Sequence, residues 1–214
     1  MSPDFLIQQF TDFLHEAHRL KSAYASQITL LVGLETEFIT HTDLDNLSTL
    51  LSGHTGRIEY VVGSIHHVNT IPIDFDHASF ERALQTLTVT DDAVAEMNAT
   101  GKGHMDKFLS TYFDAHYRLL ERFRPEIIGH LDVCRLYNPE LRFAEFPNAW
   151  DKLKRNVKFA IDYGALFEVN AAALRKGWRT SFPGEDVAAV RGAKIALSLF
   201  FIFILSLSSW MSTS

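Results

Sequence analysis

The stretch Ile127-Ile128-Gly129-His130-Leu131-Asp132-Val133-Cys134-Arg135-Leu136-Tyr137-Asn138-Pro139 decides the fold class. An apolar pair delivers a glycine, a histidine and an aspartate to the point where a strand opens into a loop. In parallel α/β proteins that is where metal ligands and catalytic groups collect. Upstream, Tyr60-Val61-Val62-Gly63-Ser64-Ile65-His66-His67-Val68-Asn69 has the same design. A third segment, Leu30-Leu31-Val32-Gly33-Leu34-Glu35-Thr36-Glu37, ends in acid instead of imidazole.

Working outward, residues 3–25 space Phe5, Leu6, Phe10, Phe13, Leu14, Ala17 and Leu20 as a helix lying on a core. The apolar run 28–34 predicts a buried strand, and 43–51 a helix with Asp43 near its cap, closed by Ser52-Gly53-His54-Thr55-Gly56. Tyr60 to Ile65 reads as the next strand, 70–80 as a polar loop anchored by Pro72, and 80–87 as helix. Asp106 to Glu121 carries the longest helical period, and Pro125 marks a restart into the Ile127-Ile128 strand. A helix near 148–163, a strand at 166–169, a helix at 186–192 and a strand from Lys194 to Ser198 complete the pattern. Strands alternating with long helices predict parallel β/α organisation. No internal repeat or linker divides the chain.

The 214 residues, 47% hydrophobic and 21% charged, suit one domain with a sizeable core. A net charge of -6 gives no general attraction to nucleic acid, so none is expected as a partner. The single cysteine, Cys134, excludes an intramolecular disulfide and a thiolate cluster, which leaves a cytoplasmic setting as the expectation. Met1-Ser2-Pro3-Asp4 is polar, so no secretory signal is expected.

Parallel strands deliver their C-terminal ends to one rim, which would bring Glu35, His66 and His130 together. Glu37 shares a strand face with Glu35 and would suit a supporting carboxylate or a second ion. His66 and His67 point to opposite faces if extended, so one of them is expected in the site. Asp132, two residues past His130, could aim at the same point. Carboxylate and imidazole together suit Zn, Mn or Fe and a site that grips phosphate oxygens. Downstream, Arg175 could hold phosphate bidentately and Lys176 as a point charge.

YVVGSIHHVNTIPIDFD (60–76), GHLDVCRLYNP (129–139) and FEVNAAALRKGW (167–178), in that order, resemble the histidinol-phosphatase branch of the PHP (polymerase and histidinol phosphatase) superfamily in its fungal form. The resemblance implies a PHP-type distorted (β/α)7 barrel with a trinuclear divalent-metal site. It also implies hydrolysis of L-histidinol phosphate to L-histidinol and phosphate in histidine biosynthesis. By the same resemblance Glu35 is the bridging carboxylate, His66 and His130 are imidazole ligands, and Arg175 binds phosphate. His67, Asn69 and Asp132 are further pocket candidates.

Two family motifs have no counterpart. The His-x-His strand is not matched before Ser2-Pro3-Asp4-Phe5, which resembles an internal point of the family pattern. After KIALS (194–198) the expected Asp and His motif gives way to Leu199-Phe200-Phe201-Ile202. The expectation is therefore a PHP domain over 3–198, incomplete at both ends, followed by an aberrant hydrophobic tail at 199–214. Such a chain would hold fewer than three ions and have weak or no activity, and its open sheet edges would carry unpaired backbone groups. The run 195–210, flanked by Arg191 and Lys194, is short and serine-interrupted for a membrane helix, which wants roughly 20 apolar residues. The alternatives are a catalytically dead PHP fragment, tethered to a membrane by that run, and another PHP-type phosphoesterase acting on nucleotides or DNA ends.

Overall fold

The computed structural model describes residues 3–87 and 102–190, together with the backbone of a two-residue strand at 195–196. The strands in chain order are β1 (Gly33–Glu37), β2 (Tyr60–Ser64), β3 (His67–Val68), β4 (Ile71–Pro72), β5 (Ile127–Ile128), β6 (Leu166–Glu168) and β7 (Ile195–Ala196). The helices are α1 (Pro3–Ala23), α2 (His41–Gly53), α3 (His77–Gln85), α4 (Lys102–Phe123), α5 (Pro147–Tyr163) and two single turns, α6 (Ala172–Arg175) and α7 (Glu185–Ala188). Five strands form one parallel sheet in the order β1-β2-β5-β6-β7, while β3 and β4 make a separate antiparallel hairpin. The predicted parallel β/α organisation is present.

The register places the site. Gly33 pairs with Tyr60 and Glu37 with Ser64, Val62 with Ile127, Ile127 with Leu166, and Phe167 with Ile195. Because every pairing is parallel, the C-terminal ends of the strands share one rim, and the polar residues at and after the ends of β1, β2, β5 and β6 converge there.

The first strand lies later than the apolar run suggests. Ile28 and Leu31 are 55% and 56% exposed, and the ladder begins only at Gly33. Glu35 and Glu37 are thus strand residues rather than residues after a strand. Thr40 caps α2, accepting from the Asp43 backbone N–H while the Asp43 carboxylate accepts from the Thr40 N–H, a reciprocal capping box that puts Asp43 inside the helix. The expected polar loop at 70–80 holds β4 and the start of α3. The helix expected over 186–192 is the single turn α7 within the described residues. Residues 194 and 197–214 lie outside the described residues, as does the hydrophobic tail.

Two apolar clusters cover the sheet. Phe10 and Leu14 of α1 pack with Val32, Leu34, Leu47 and Val61. The larger one gathers Phe80, Phe108, Phe113, Leu119, Leu153, Val157, Ile128 and Phe167 from α3, α4, α5, β5 and β6. Helices α4 and α5 are tied by Asn156 Nδ2 donating to the Phe113 carbonyl at 2.7 Å and by Arg155 lying over the Tyr117 ring. Among the described residues no helix is long and apolar enough to cross a membrane.

Candidate metal centre

The two-residue period of β1 puts Glu35 and Glu37 on one side of the strand. Glu35 Oε1 accepts from Ser64 Oγ at 2.6 Å, across to the neighbouring strand. Ser64 keeps this position because residue 129 is glycine: a Cβ there would sit 2.3 Å from Ser64 Oγ. Beyond β2 the His66 backbone N–H donates to Glu37 Oε2 at 3.2 Å, and its imidazole Nδ1 lies 3.5 Å from the same oxygen. Beyond β5 the His130 N–H donates to Glu168 Oε2 at 2.9 Å, and its Nδ1 lies 3.3 Å from that oxygen. The two rings stack at 4.8 Å between centroids, with their Nε2 atoms 2.7 Å apart. Glu35 Oε1 is 3.8 Å from His66 Nε2 and 3.7 Å from His130 Nε2. One ligand atom each from Glu35, His66 and His130 thus lies within 4.8 Å of the others, and all three residues are half-buried.

The proton positions decide what this cluster can hold. Glu37 and Glu168 each face an Nδ1 and fix the proton there, which leaves both Nε2 lone pairs facing one another. Two neutral acceptors at hydrogen-bond distance need a proton or a cation between them. Without a cation a proton fills the role. Burial pulls the His66 pKa down, but the hydrogen bond and charge of Glu37, helped by Asp74 and Glu35, raise it to about 9. Burial likewise pushes Glu37 up, and hydrogen bonds from His66 and His67 outweigh it and bring the carboxyl to about 2. Glu168 is opposed by burial and still lowered, through His130. Two imidazoles and a carboxylate oxygen form a donor set that fits Zn, Mn or Fe.

His67 does not face away from His66. The chain leaves the ladder after Ser64, and His67 Nδ1 lies 2.8 Å from Glu37 Oε2, so both histidines grip one carboxylate. His66 meets the triad, while His67 backs Glu37 and lines a cavity of about 360 Å³ with Phe38, Asn69 and Arg118. Asn69, in the left-handed region at φ 49°, closes the β3–β4 hairpin and donates to Thr86 Oγ1 at 3.1 Å. Arg175 and Lys176 are exposed on and just after α6, beyond the Glu168 end of β6. Among the described residues neither side chain touches the triad.

Asp132 departs from expectation. It is fully buried and turned away from His130, because the chain tightens into a 3₁₀ turn at Val133–Arg135. Its Oδ2 accepts from Arg135 Nη2 at 2.6 Å, Arg135 Nε at 3.1 Å and the Gly184 N–H at 2.8 Å. Arg135 also donates to Asp186 at 2.9 and 3.1 Å and to the Leu141 carbonyl at 2.9 Å, and it lies over the Phe143 ring. A Cβ on Gly184 would meet Arg135 Nη2 at 2.0 Å, so the guanidinium needs that glycine. Cys134 is buried beside this cluster and its thiol is pushed well above the usual range by desolvation, which makes it inert.

Sequence reasoning passed over Glu168, Ser64 and the Arg135–Asp186 pair. Glu168 carried a signal, since it ends an apolar strand as Glu35 and Glu37 end GLETE.

A half-buried acid and imidazole cluster at the C-terminal rim of a parallel sheet makes this a β/α protein with a candidate metal site. Residues 4–172 match the PHP domain, and the chain belongs to that family. It is 36% identical over 204 residues to a Schizosaccharomyces pombe protein named "Probable histidinol-phosphatase", covering 92% of this chain and 61% of that protein. It is 25% identical over 204 residues to the histidinol-phosphatase of Saccharomyces cerevisiae, covering 83% of this chain and 57% of that enzyme. The chain thus spans about three-fifths of the length of the curated relatives it matches. The crystal structure of a candidate histidinol phosphatase from Listeria monocytogenes shares the fold with a TM-score of 0.56 at 15% identity, over 85% of this chain and 65% of that one. The parallel sheet and its helices are those of a PHP-type β/α barrel.

Proposed function

We propose that this chain is a histidinol-phosphatase, hydrolysing L-histidinol phosphate to L-histidinol and phosphate in the cytoplasm. The observation that carries the reading is the convergence of Glu35, His66 and His130 within 4.8 Å at the strand rim. Two relatives that bear the name support the choice of substrate.

In this reading Glu35, His66 and His130 would hold one divalent ion of Zn, Mn or Fe. A bound ion supplies a Lewis acid for a phosphoryl oxygen and a water acidic enough to attack near neutral pH. The residues of the chain do the rest. Glu37 and Glu168 keep Nδ1 protonated on His66 and His130, so that Nε2 stays a donor to the ion. Ser64 fixes the rotamer of Glu35. Arg175 and Lys176, at the rim beyond β6, take the phosphate oxygens not engaged at the centre. His67 and Asn69 border the pocket on the β2 side. Water adds to phosphorus and gives up a proton, the ester P–O bond breaks, and the departing alkoxide takes a proton to leave as the alcohol of L-histidinol.

The test is phosphate release from L-histidinol phosphate by chelator-treated protein before and after adding Mn or Zn. Release that appears with metal and is abolished by His130→Ala is expected. Protein that binds one ion per chain yet releases no phosphate would overturn the assignment.

A further inference from the structure

The metal cluster leaves unexplained the link between β4 and α3, residues Asp74 and Phe75. The Ile73 N–H donates to the His66 carbonyl at 2.9 Å, which folds the β3–β4 hairpin back and makes residue 74 the next one along from that bond. Ile73 is fully buried, and Asp74 after it is half-buried in the bend that leads into α3. The Asp74 charge adds to the larger effect of Glu37 on His66 and to that of burial on Tyr112 and Tyr137. Among the described residues no cation and no hydrogen-bond donor is paired with it.

Phe75, next along, is 81% exposed, more than any other large apolar side chain described. The following residues are already committed. Asp76 caps α3, accepting from the Ser79 N–H at 2.6 Å, and His77 packs edge-on against Tyr137 at 5.2 Å. Beside the candidate centre the rim therefore offers a carboxylate without a direct partner among the described residues and an open aromatic face. Neither feature suits a phosphate, whose charge the carboxylate repels. Both suit a cationic group carried on the same small molecule, through a charge-assisted hydrogen bond and a ring contact.

We propose that Asp74, with Phe75 beside it, reads the ammonium group of the substrate, so that the site selects amino-bearing phosphomonoesters over neutral ones. The inference rests on the phosphatase reading of the same site. In L-histidinol phosphate the amino group sits one carbon from the ester-bearing carbon, so a phosphate held at the triad brings the ammonium to the adjoining hairpin. Phe75 then covers the ring end of the ligand.

The experiment is calorimetric titration of the full chain, loaded with Mn or Zn, with L-histidinol phosphate, phenyl phosphate and inorganic phosphate, in wild type, Asp74→Asn and Phe75→Ala. Wild type is expected to bind the amino ester more tightly than phenyl phosphate. Asp74→Asn should weaken the amino ester by about 10–100-fold, the worth of a hydrogen bond to a charged group. Phenyl phosphate, inorganic phosphate and metal content should not change. Phe75→Ala should weaken the amino ester by about 2–5-fold, in the range of an exposed ring contact. Equal weakening of all three ligands, or loss of metal, would make Asp74 part of the metal centre and overturn the proposal. So would an Asp74→Asn protein that binds as wild type does. If wild type binds phosphate but holds the amino ester no better than phenyl phosphate, the ammonium subsite falls while the phosphatase reading stands. If metal-loaded wild type binds neither phosphate nor ester, both fall together.

Discussion

His130 and Arg135 stand in one loop after β5, yet their surroundings are opposites. Around Arg135 two carboxylates, a main-chain carbonyl and an aromatic face surround one guanidinium, and the Asp132 oxygen facing it is triply bonded. The cluster is nearly closed, with Asp132 Oδ1 its one unmet atom among the described residues. Around His130 the lone pairs of two Nε2 atoms face each other, and Glu35 Oε1 stands 3.7 Å from the His130 one. A polar cluster complete in itself holds chain segments together. One whose donor atoms converge without satisfying each other is shaped for a group from outside.

Breaking the closed cluster should have the largest effect. Arg135→Ala leaves a fully buried aspartate beside a second one with no cation, and should lower stability by about 3–5 kcal/mol, the range for removing one partner of a buried ion pair. Urea unfolding measures it. A loss under about 1 kcal/mol, the range of exposed pairs, would mean that water reaches the cluster.

Acid separates the interior from the rim. His116 on α4 is buried with Nε2 unpaired, and burial, then the charges of His130 and Arg155, lower its pKa to about 3. Its pKa is lower folded than unfolded, so its contribution is present above pH 6.5 and is lost as pH falls toward 3. His66 runs the other way in metal-free protein. Its raised pKa stabilises below 6.5, and that contribution disappears as pH rises through about 9. Glu37, lowered to about 2, adds stability above 4.5 that is lost on further acidification. Metal-free protein should therefore be most stable near pH 6.5. His116→Leu should flatten the acid limb by on the order of a few kcal/mol while leaving the alkaline limb alone. Thermal unfolding scanned from pH 4 to 9 reads both limbs.

The smallest effect on stability is expected at the rim. Glu168→Gln removes the charge that orients His130 and should cost about 10–100-fold in Zn or Mn affinity. Metal-free stability should change by less than about 1 kcal/mol, because the site is half-buried and its bonds are replaceable by water. Competition with a chromogenic chelator measures the first quantity and urea unfolding of the chelated protein the second.

The triad was legible because each member follows or ends an apolar run, a signal that survives without knowing any partner. The parallel order of the sheet came from helix lengths between those runs. What stayed hidden depends on the third dimension. The run at 28–34 is apolar enough for a strand, but pairing starts at Gly33, and only the ladder reveals that Glu35 and Glu37 lie within it. Asp132 looked like a partner of His130 because two-residue spacing holds in a strand, and the 3₁₀ turn that cancels it has no local signature in Val133-Cys134-Arg135. Glu168 gained its role only when β6 took the place next to β5.

The peptide at His66 is anchored on both sides, its N–H on Glu37 and its carbonyl on Ile73, outside any regular strand. The loop thus keeps its path by bonds to the peptide groups of residue 66, whatever side chain hangs from it. Shortening that residue to glycine should empty a ring-sized slot without collapsing its walls, and free imidazole supplied in the buffer should slip in and restore what the truncation removed.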